Sequence, residues 1–277
     1  MDYKIVMDSA GDLQTMENTT FSCVPLKILA GEREFVDNAN LDVAEMVEFM
    51  GSFEGKSSTA CPSAGEYLEA FEDAEEVYCV TISSALSGSF NAAVVAAHQL
   101  KEKFPMKRVH VFDSLSTGPE MVLMAEKIRE LVAQKLPFDR VVDLVEEYKA
   151  KTRLVFSLES LHNLAHNGRV NVAVAKIAGL IGLRLIGKAS DEGTLHPTGK
   201  ARGERKVAPE LLKQLLNMGY QGGRVRIHHC CNPGTAENLK AILLEKFPKA
   251  NVVVQATGGL CSYYAERGGL MVGFEAS

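Results

Sequence analysis

The chain has 277 residues, 46% of them hydrophobic and 23% charged, the mixture of a globular protein with a large core to bury. Its 30 Lys/Arg and 35 Asp/Glu leave a formal charge of -5, which argues against nucleic acid as a partner because no broad phosphate-neutralising surface is supplied. No long apolar run occurs, and the start, MDYKIVMDSAGD, lacks a basic flank followed by an apolar core. Neither a membrane span nor a secretory signal is expected, and the expected location is the cytoplasm.

In chain order, short β-branched runs alternate with amphipathic stretches, which predicts an α/β protein. YKIVM (3–7) reads as a strand entering the polar loop DSAGDL, FSCVPLKIL (21–29) as a second extended segment, and 42–50 as a helix. Ser63 and Glu66 form a capping-box pattern ahead of the helical YLEAFEDA. VYCVTIS (77–83) is a strand, followed by a Ser/Gly turn and a helix whose Ala/Val face spans 92–97. RVHVFD (108–113), SLSTG and a helix over 120–134 repeat that unit, and a helix over 138–150 closes the first lobe. The pattern restarts at 152 with the strand TRLVFS, a helical LESLHNLAH, the turn NGR and an apolar helix from 172. LRLIGKAS and GTLHPTG pair as a hairpin, then come a helix at 207–218, strand RVRIHH, a helix at 235–247, strand NVVVQAT and a Gly-rich end. Two α/β lobes, 1–151 and 152–277, are therefore expected.

Charge is unevenly shared. Residues 1–76 carry 17 acidic and 4 basic side chains, whereas 151–206 carry ten Lys/Arg against four Asp/Glu. The basic segment suits either a solvated surface or an acidic partner. Arg169 and Arg202 lie in it, in loops that present long cationic side chains, and arginine forks hold phosphate oxygens well.

The hydroxyl-rich turns are the main local evidence for a site. Thr59 precedes Pro62, and Ser83, Ser84, Ser87 and Ser89 surround Gly88. Two chain segments thus offer neutral donors and helix-start amides, an array suited to a carboxylate or phosphate. Capping explains any one of these serines; their coincidence at two strand ends is what points to an anion site. A serine hydrolase elbow, GxSxG, is absent, and so are the phosphate cradles GxxxxGK[ST] and GxGxxG after a strand. IHHCCN (227–232) is not expected to bind metal, because alternation on a strand sends His228 and Cys230 one way and His229 and Cys231 the other. Cys61, just upstream of a helix start, is either a packed or a reactive thiol. The six cysteines include no CxxC pair and are expected to be reduced.

Taken in order, IVMDSAGDL, VPLKI, STACPSAGEYLEAF, TISSALSGSFNAA, VHVFDSLSTG, LESLHNLAHNGRV and GKARGERK resemble the DegV family of bacterial fatty-acid-binding proteins. The resemblance runs from residue 4 to the end and is carried by the order and spacing of these motifs. It implies a two-lobed α/β protein enclosing one long-chain fatty acid between the lobes, with no further cofactor. It also implies a partner: a fatty acid kinase that phosphorylates the presented carboxylate to acyl-phosphate for phospholipid synthesis. Position by position, the family's TSQPS threonine falls on Thr59, with Cys61 for the usual Gln, and its SGT serine falls on Ser87, followed by Gly88. These are the residues implied for the carboxylate. The GGRI arginine falls on Arg169, with Asn167 for the first glycine, and the later arginine falls on Arg202; both would face the kinase and the transferred phosphate. Where the family reads THTGPG, this chain has AERGGLMVGF, which puts Ala265 at the histidine position if Gly269 matches the last glycine. The competing reading is an enzyme, a Ser- or Cys-dependent acyl hydrolase using Ser87 or Cys61; an uncoupled lipid carrier or sensor is the third.

Overall fold

The computed structural model describes residues 2–171 and 182–277. The apolar helix expected from 172 lies outside the described residues.

Four parallel strands form the first sheet: β1 (Tyr3–Asp8), β2 (Phe21–Val24), β6 (Glu76–Thr81) and β7 (Arg108–Asp113), in the order β2-β1-β6-β7. Both faces are covered, as a parallel sheet requires. Helices α2 (Ala64–Phe71) and α3 (Ser89–Lys103) bury Tyr67, Phe71, Ala93, Ala96 and Leu100 on one side. Helices α4 (Pro119–Ala133) and α5 (Phe138–Lys149) cover the other. Strand order reverses between β1 and β6, so the loops leaving their carboxyl ends, 9–12 and 82–88, open a crevice.

The predicted single segment at 21–29 is two strands in two sheets. Pro25 has no N–H to extend the β2 ladder, and Leu26 N–H leaves it to donate to Ser9 Oγ at 3.0 Å. The chain then enters a small antiparallel sheet of β3 (Lys27–Ala30), β4 (Arg33–Val36) and β5 (Ser57–Ala60), in the order β4-β3-β5, beside helix α1 (Val43–Ser52). The expected Ala/Val face of α3 is an alanine face only, since Ala93 and Ala96 are buried while Val95 is 47% exposed.

The remaining strands form one six-stranded sheet. They are β8 (Thr152–Leu158), β9 (Leu183–Ala189), β10 (Leu195–Arg202), β11 (Arg224–His229), β12 (Asn251–Ala256) and β13 (Leu270–Glu275), in the order β10-β9-β8-β13-β11-β12. On β8 the side chains alternate: Leu154, Phe156 and Leu158 join one core and Val155 another. The second core lies under helices α7 (Val207–Asn217) and α8 (Pro233–Lys246). Between β8 and β9, only His162–His166 of the predicted helix 158–166 is helical, as α6. The short helix α9 (Gly259–Ala265) follows β12.

Helix α4 packs against strands of both large sheets. Its first half, from Pro119 to Ala125, is buried all round, the pattern of a helix inside a core. Arg226 of β11, 5% exposed, grips Glu126 of α4 with two bonds of 3.0 and 2.7 Å, the planar two-pronged match that arginine makes with a carboxylate. Among the described residues no helix is long and apolar enough to cross a membrane.

Candidate functional site

An apolar cavity lies between the crevice of the parallel sheet and the inner face of the six-stranded sheet, with about 660 Å³ of space, its open mouth included. The period-2 face of β8 supplies Leu154, Phe156 and Leu158, and Met271 of β13 extends that wall. Leu260, Cys261 and Ala265 of α9 and Ile82 and Leu86 of the 82–88 turn complete the lining against a second side. Among the described residues its polar lining is Thr59, Ser87, Thr117, Arg169, Tyr264 and the Cys261 thiol.

The hydroxyls of the two turns divide by what they already bond. Ser83 is buried and donates to the carbonyl of Gly193, at the tip of the β9–β10 hairpin, at 2.8 Å. Ser89 is buried and donates to Asp8 at 2.6 Å. Neither is left for a ligand. Thr59 and Tyr264 share one hydrogen bond of 2.7 Å between their hydroxyls; two hydroxyls carry two hydrogens and this bond uses one, so the pair keeps a donor. Ser87 Oγ accepts the Ser89 N–H at 3.3 Å and still carries its own hydrogen. Arg169 reaches across from the loop after α6, donating Nε to the Leu86 carbonyl at 3.2 Å and Nη1 to the Asn167 carbonyl. The lining therefore combines neutral O–H donors with the Arg169 guanidinium, an arrangement that accepts an anionic head on an apolar tail.

Three buried carboxylates hold this lining from behind. Asp8 accepts from Ala10 N, Ile82 N and Ser89 Oγ, so it ties the end of β1 to the 82–89 turn. Asp37 accepts from Gly259 N at 2.6 Å and Leu260 N at 2.9 Å, capping the helix that carries Tyr264. Asp12 accepts from Gly258 N at 2.7 Å and lies 2.7 Å from His228 Nδ1, both side chains being fully buried. Burial raises the Asp8 carboxyl to about 6 in spite of its hydrogen bonds. It also raises Asp37 to about 6, with the charge of Asp12 adding to the effect. Burial pushes the Cys261 thiol well above its ordinary value, so it stays protonated; it faces the Ala10 carbonyl at 3.3 Å.

Of the residues singled out from the sequence, Thr59, Ser87 and Arg169 come together in the cavity lining. Gly88 stands at the N-terminus of α3, where a Cβ would sit 3.2 Å from Cys61 Sγ, and both Gly88 and Cys61 are exposed and outside that lining. Arg202 ends β10, exposed and away from the cavity. Ala265 is an apolar wall residue, and the side chain that meets Thr59 is its neighbour Tyr264. The alternation assigned to IHHCCN stops at His229, where β11 ends, and Cys231 takes φ +51 in the turn beyond. Among the described residues no group of three or more His, Cys, Asp or Glu could hold a metal ion, and all six cysteines are free. Among the described residues no histidine lines the cavity. Sequence reasoning missed Tyr264, Asp12 and Asp37, and placed His228 on a strand without its partner Asp12. The only signals were an unexplained Asp in each of two polar loops and a Tyr-Tyr pair.

The family model described as "uncharacterised protein, DegV family" matches residues 2–276. A DegV domain-containing protein of Streptococcus pneumoniae is 41% identical over 279 residues, covering 99% of each chain. The crystal structure of the Streptococcus pneumoniae fatty acid kinase (Fak) B3 protein loaded with linoleic acid superposes with a TM-score of 0.98, at 40% identity and full coverage of both chains. That of a family protein from Eubacterium eligens loaded with heptadecanoic acid gives 0.97, at 39% identity, covering 99% of this chain and 100% of the other.

Proposed function

Because the chain belongs to the DegV family, we propose that it binds one long-chain fatty acid, tail in the apolar cavity and carboxylate at the mouth, and presents that carboxylate to a fatty acid kinase. The observation that carries this reading is the cavity itself: an apolar lining that meets spare hydroxyl donors and one arginine. In it Thr59 and Ser87 hold the carboxylate, Gly88 at the start of α3 completes the carboxylate-binding turn next to Ser87, and Tyr264 orients Thr59. Arg169 and Arg202 face the kinase and the phosphoryl group that it transfers. The lobes 1–151 and 152–277 close on the lipid from two sides. The protein is a cytoplasmic carrier, and the covalent chemistry belongs to its partner.

At ~0.8 kcal/mol per buried methylene, a C16 to C18 tail contributes on the order of 10 kcal/mol before ordering costs, so the acid should survive purification. Mass spectrometry of an organic extract tests this directly: a stoichiometric fatty acid supports the reading. Stripped protein that shows no thermal shift with any acid from C12 to C20 ends it.

A further inference from the structure

Behind the cavity wall, a chain of hydrogen bonds links the Arg169 loop to the strand that carries Thr59. Asn167 Nδ2 donates to Tyr263 Oη at 2.9 Å and to the Asn163 carbonyl at 2.9 Å, while its own carbonyl accepts from Arg169 Nη1. Tyr263 Oη, on a side chain 1% exposed, also lies 2.8 Å from Ser57 Oγ. Ser57 and Thr59 are two apart on β5 and so share one face of the strand. Consecutive tyrosines of α9 therefore reach the two: Tyr263 to Ser57, and Tyr264 to Thr59. Only Tyr264 lines the cavity.

We infer that Asn167 and Tyr263 are positioning residues: they hold the Arg169 guanidinium in one frame with Thr59, so that the arginine meets the transferred phosphoryl group in a fixed place beside the head group. The role of Arg169 rests on the function proposed above; the frame itself can be tested without it. A guanidinium fixed at two points, Nε on Leu86 and Nη1 on Asn167, has little freedom left to lose when a phosphoryl group arrives, which is the benefit of a pre-organised site. Without the Asn167 and Tyr263 links, the Nε bond to Leu86 remains but the loop loses its tie to β5.

Two measurements on the full-length, fatty-acid-loaded protein decide the matter. The first is hydrogen exchange at Arg169 Nε by NMR, the resonance being assigned by its loss in Arg169→Ala. Tyr263→Phe keeps the ring and removes only the hydroxyl, and Asn167→Gly removes the amide. Each is expected to speed exchange about ten-fold, the factor that a bond of this strength represents, while the fatty acid affinity stays within about two-fold. Ser57→Ala should have a smaller effect that Ser57→Thr restores. Unchanged exchange in both Tyr263→Phe and Asn167→Gly overturns the inference, as does loss of lipid affinity in step with exchange, because that marks a general loosening. The second measurement is acyl-phosphate formation with a fatty acid kinase. Here the same variants should lower kcat about ten-fold and leave KM for the loaded carrier within about two-fold. If Arg169→Ala itself gives normal output, the proposed role of Arg169 fails while the exchange result still judges the frame. If Arg169→Ala is inactive but Tyr263→Phe and Asn167→Gly keep wild-type kcat, the positioning role is refuted and the arginine stands.

Discussion

Replacing Asp37 by Asn should make the protein relatively more stable at neutral pH than at acid pH. Asp37 is buried with its oxygens on Gly259 N and Leu260 N, and its carboxyl is raised from 3.8 to about 6, chiefly by burial. The folded state therefore keeps a proton that the unfolded chain releases between about pH 4 and pH 6, so wild-type stability from this group falls as pH rises through that window. A carboxyl raised that far represents about 3 kcal/mol of stability that is present in acid and lost at neutral pH. An amide has nearly the same shape and no charge; it loses one accepting oxygen, at a cost that does not vary with pH. Urea unfolding of both proteins at a series of pH values gives the difference directly. That difference should move in favour of Asp37→Asn by about 2 kcal/mol between about pH 4.5 and pH 7.5, the remaining ~1 kcal/mol having been lost below about pH 4.5. Asp8 and Glu120, also raised by burial, slope the same way. His229, lowered by burial, slopes the other way, its contribution declining as pH falls below its ordinary value. All three cancel in the comparison. A difference flat to within about 0.5 kcal/mol across the series would refute the assignment of a raised carboxyl to Asp37.

Ser87→Ala and Thr59→Val should each weaken fatty acid binding roughly ten- to a hundred-fold by calorimetry or displacement while the melting temperature of the stripped protein hardly moves, since a hydrogen bond to a charged group contributes about 1.5 to 3 kcal/mol. Wild-type affinity in both would place the head group elsewhere. The Arg169→Ala, Arg202→Ala double variant should keep its lipid and lose acyl-phosphate output by orders of magnitude in a reconstituted kinase assay, as expected for guanidinium groups that meet a transferring phosphoryl group. Steady turnover of a chromogenic ester that Ser87→Ala abolishes would instead restore the hydrolase reading. Gly193→Ala should be destabilising by more than about 1 kcal/mol in urea unfolding, because Gly193 has φ +77 and a Cβ there would lie 2.1 Å from Ser83 Oγ. A neutral substitution would show that the Ser83 contact is dispensable.

Elements governed by local pattern were legible in the sequence. Strands β1, β6 and β7 and the helices after them follow from β-branched runs and caps, and the capping box of Ser63 and Glu66 forms as its spacing predicts. Thr59 and Ser87 could be singled out because hydroxyls at strand ends are a local signal. What stayed hidden depends on partners far away in the chain. Asp37 bonds residues 259 and 260, Asp12 lies against His228, and nothing beside either aspartate in the sequence announces such a partner. The small sheet was missed for a similar reason: REFV and SSTA are only four residues each, too short for a period to declare itself, and they are strands because β3 lies between them.

Helix α4 has a consequence for how the molecule comes apart. Its apolar side chains belong to the core beneath the parallel sheet, yet the same helix covers the inner strands of the six-stranded sheet and is locked there through Glu126 and Arg226. Neither sheet can shed the helix without baring apolar surface to water, so the chain junction at 151/152 is not a line of weakness. A fragment ending at 151 would carry away the helix and strip its neighbour; one beginning at 152 would never have had it. Melting should accordingly be a single cooperative event with one calorimetric transition, and cutting the chain in two should yield a pair of halves that fold only when mixed.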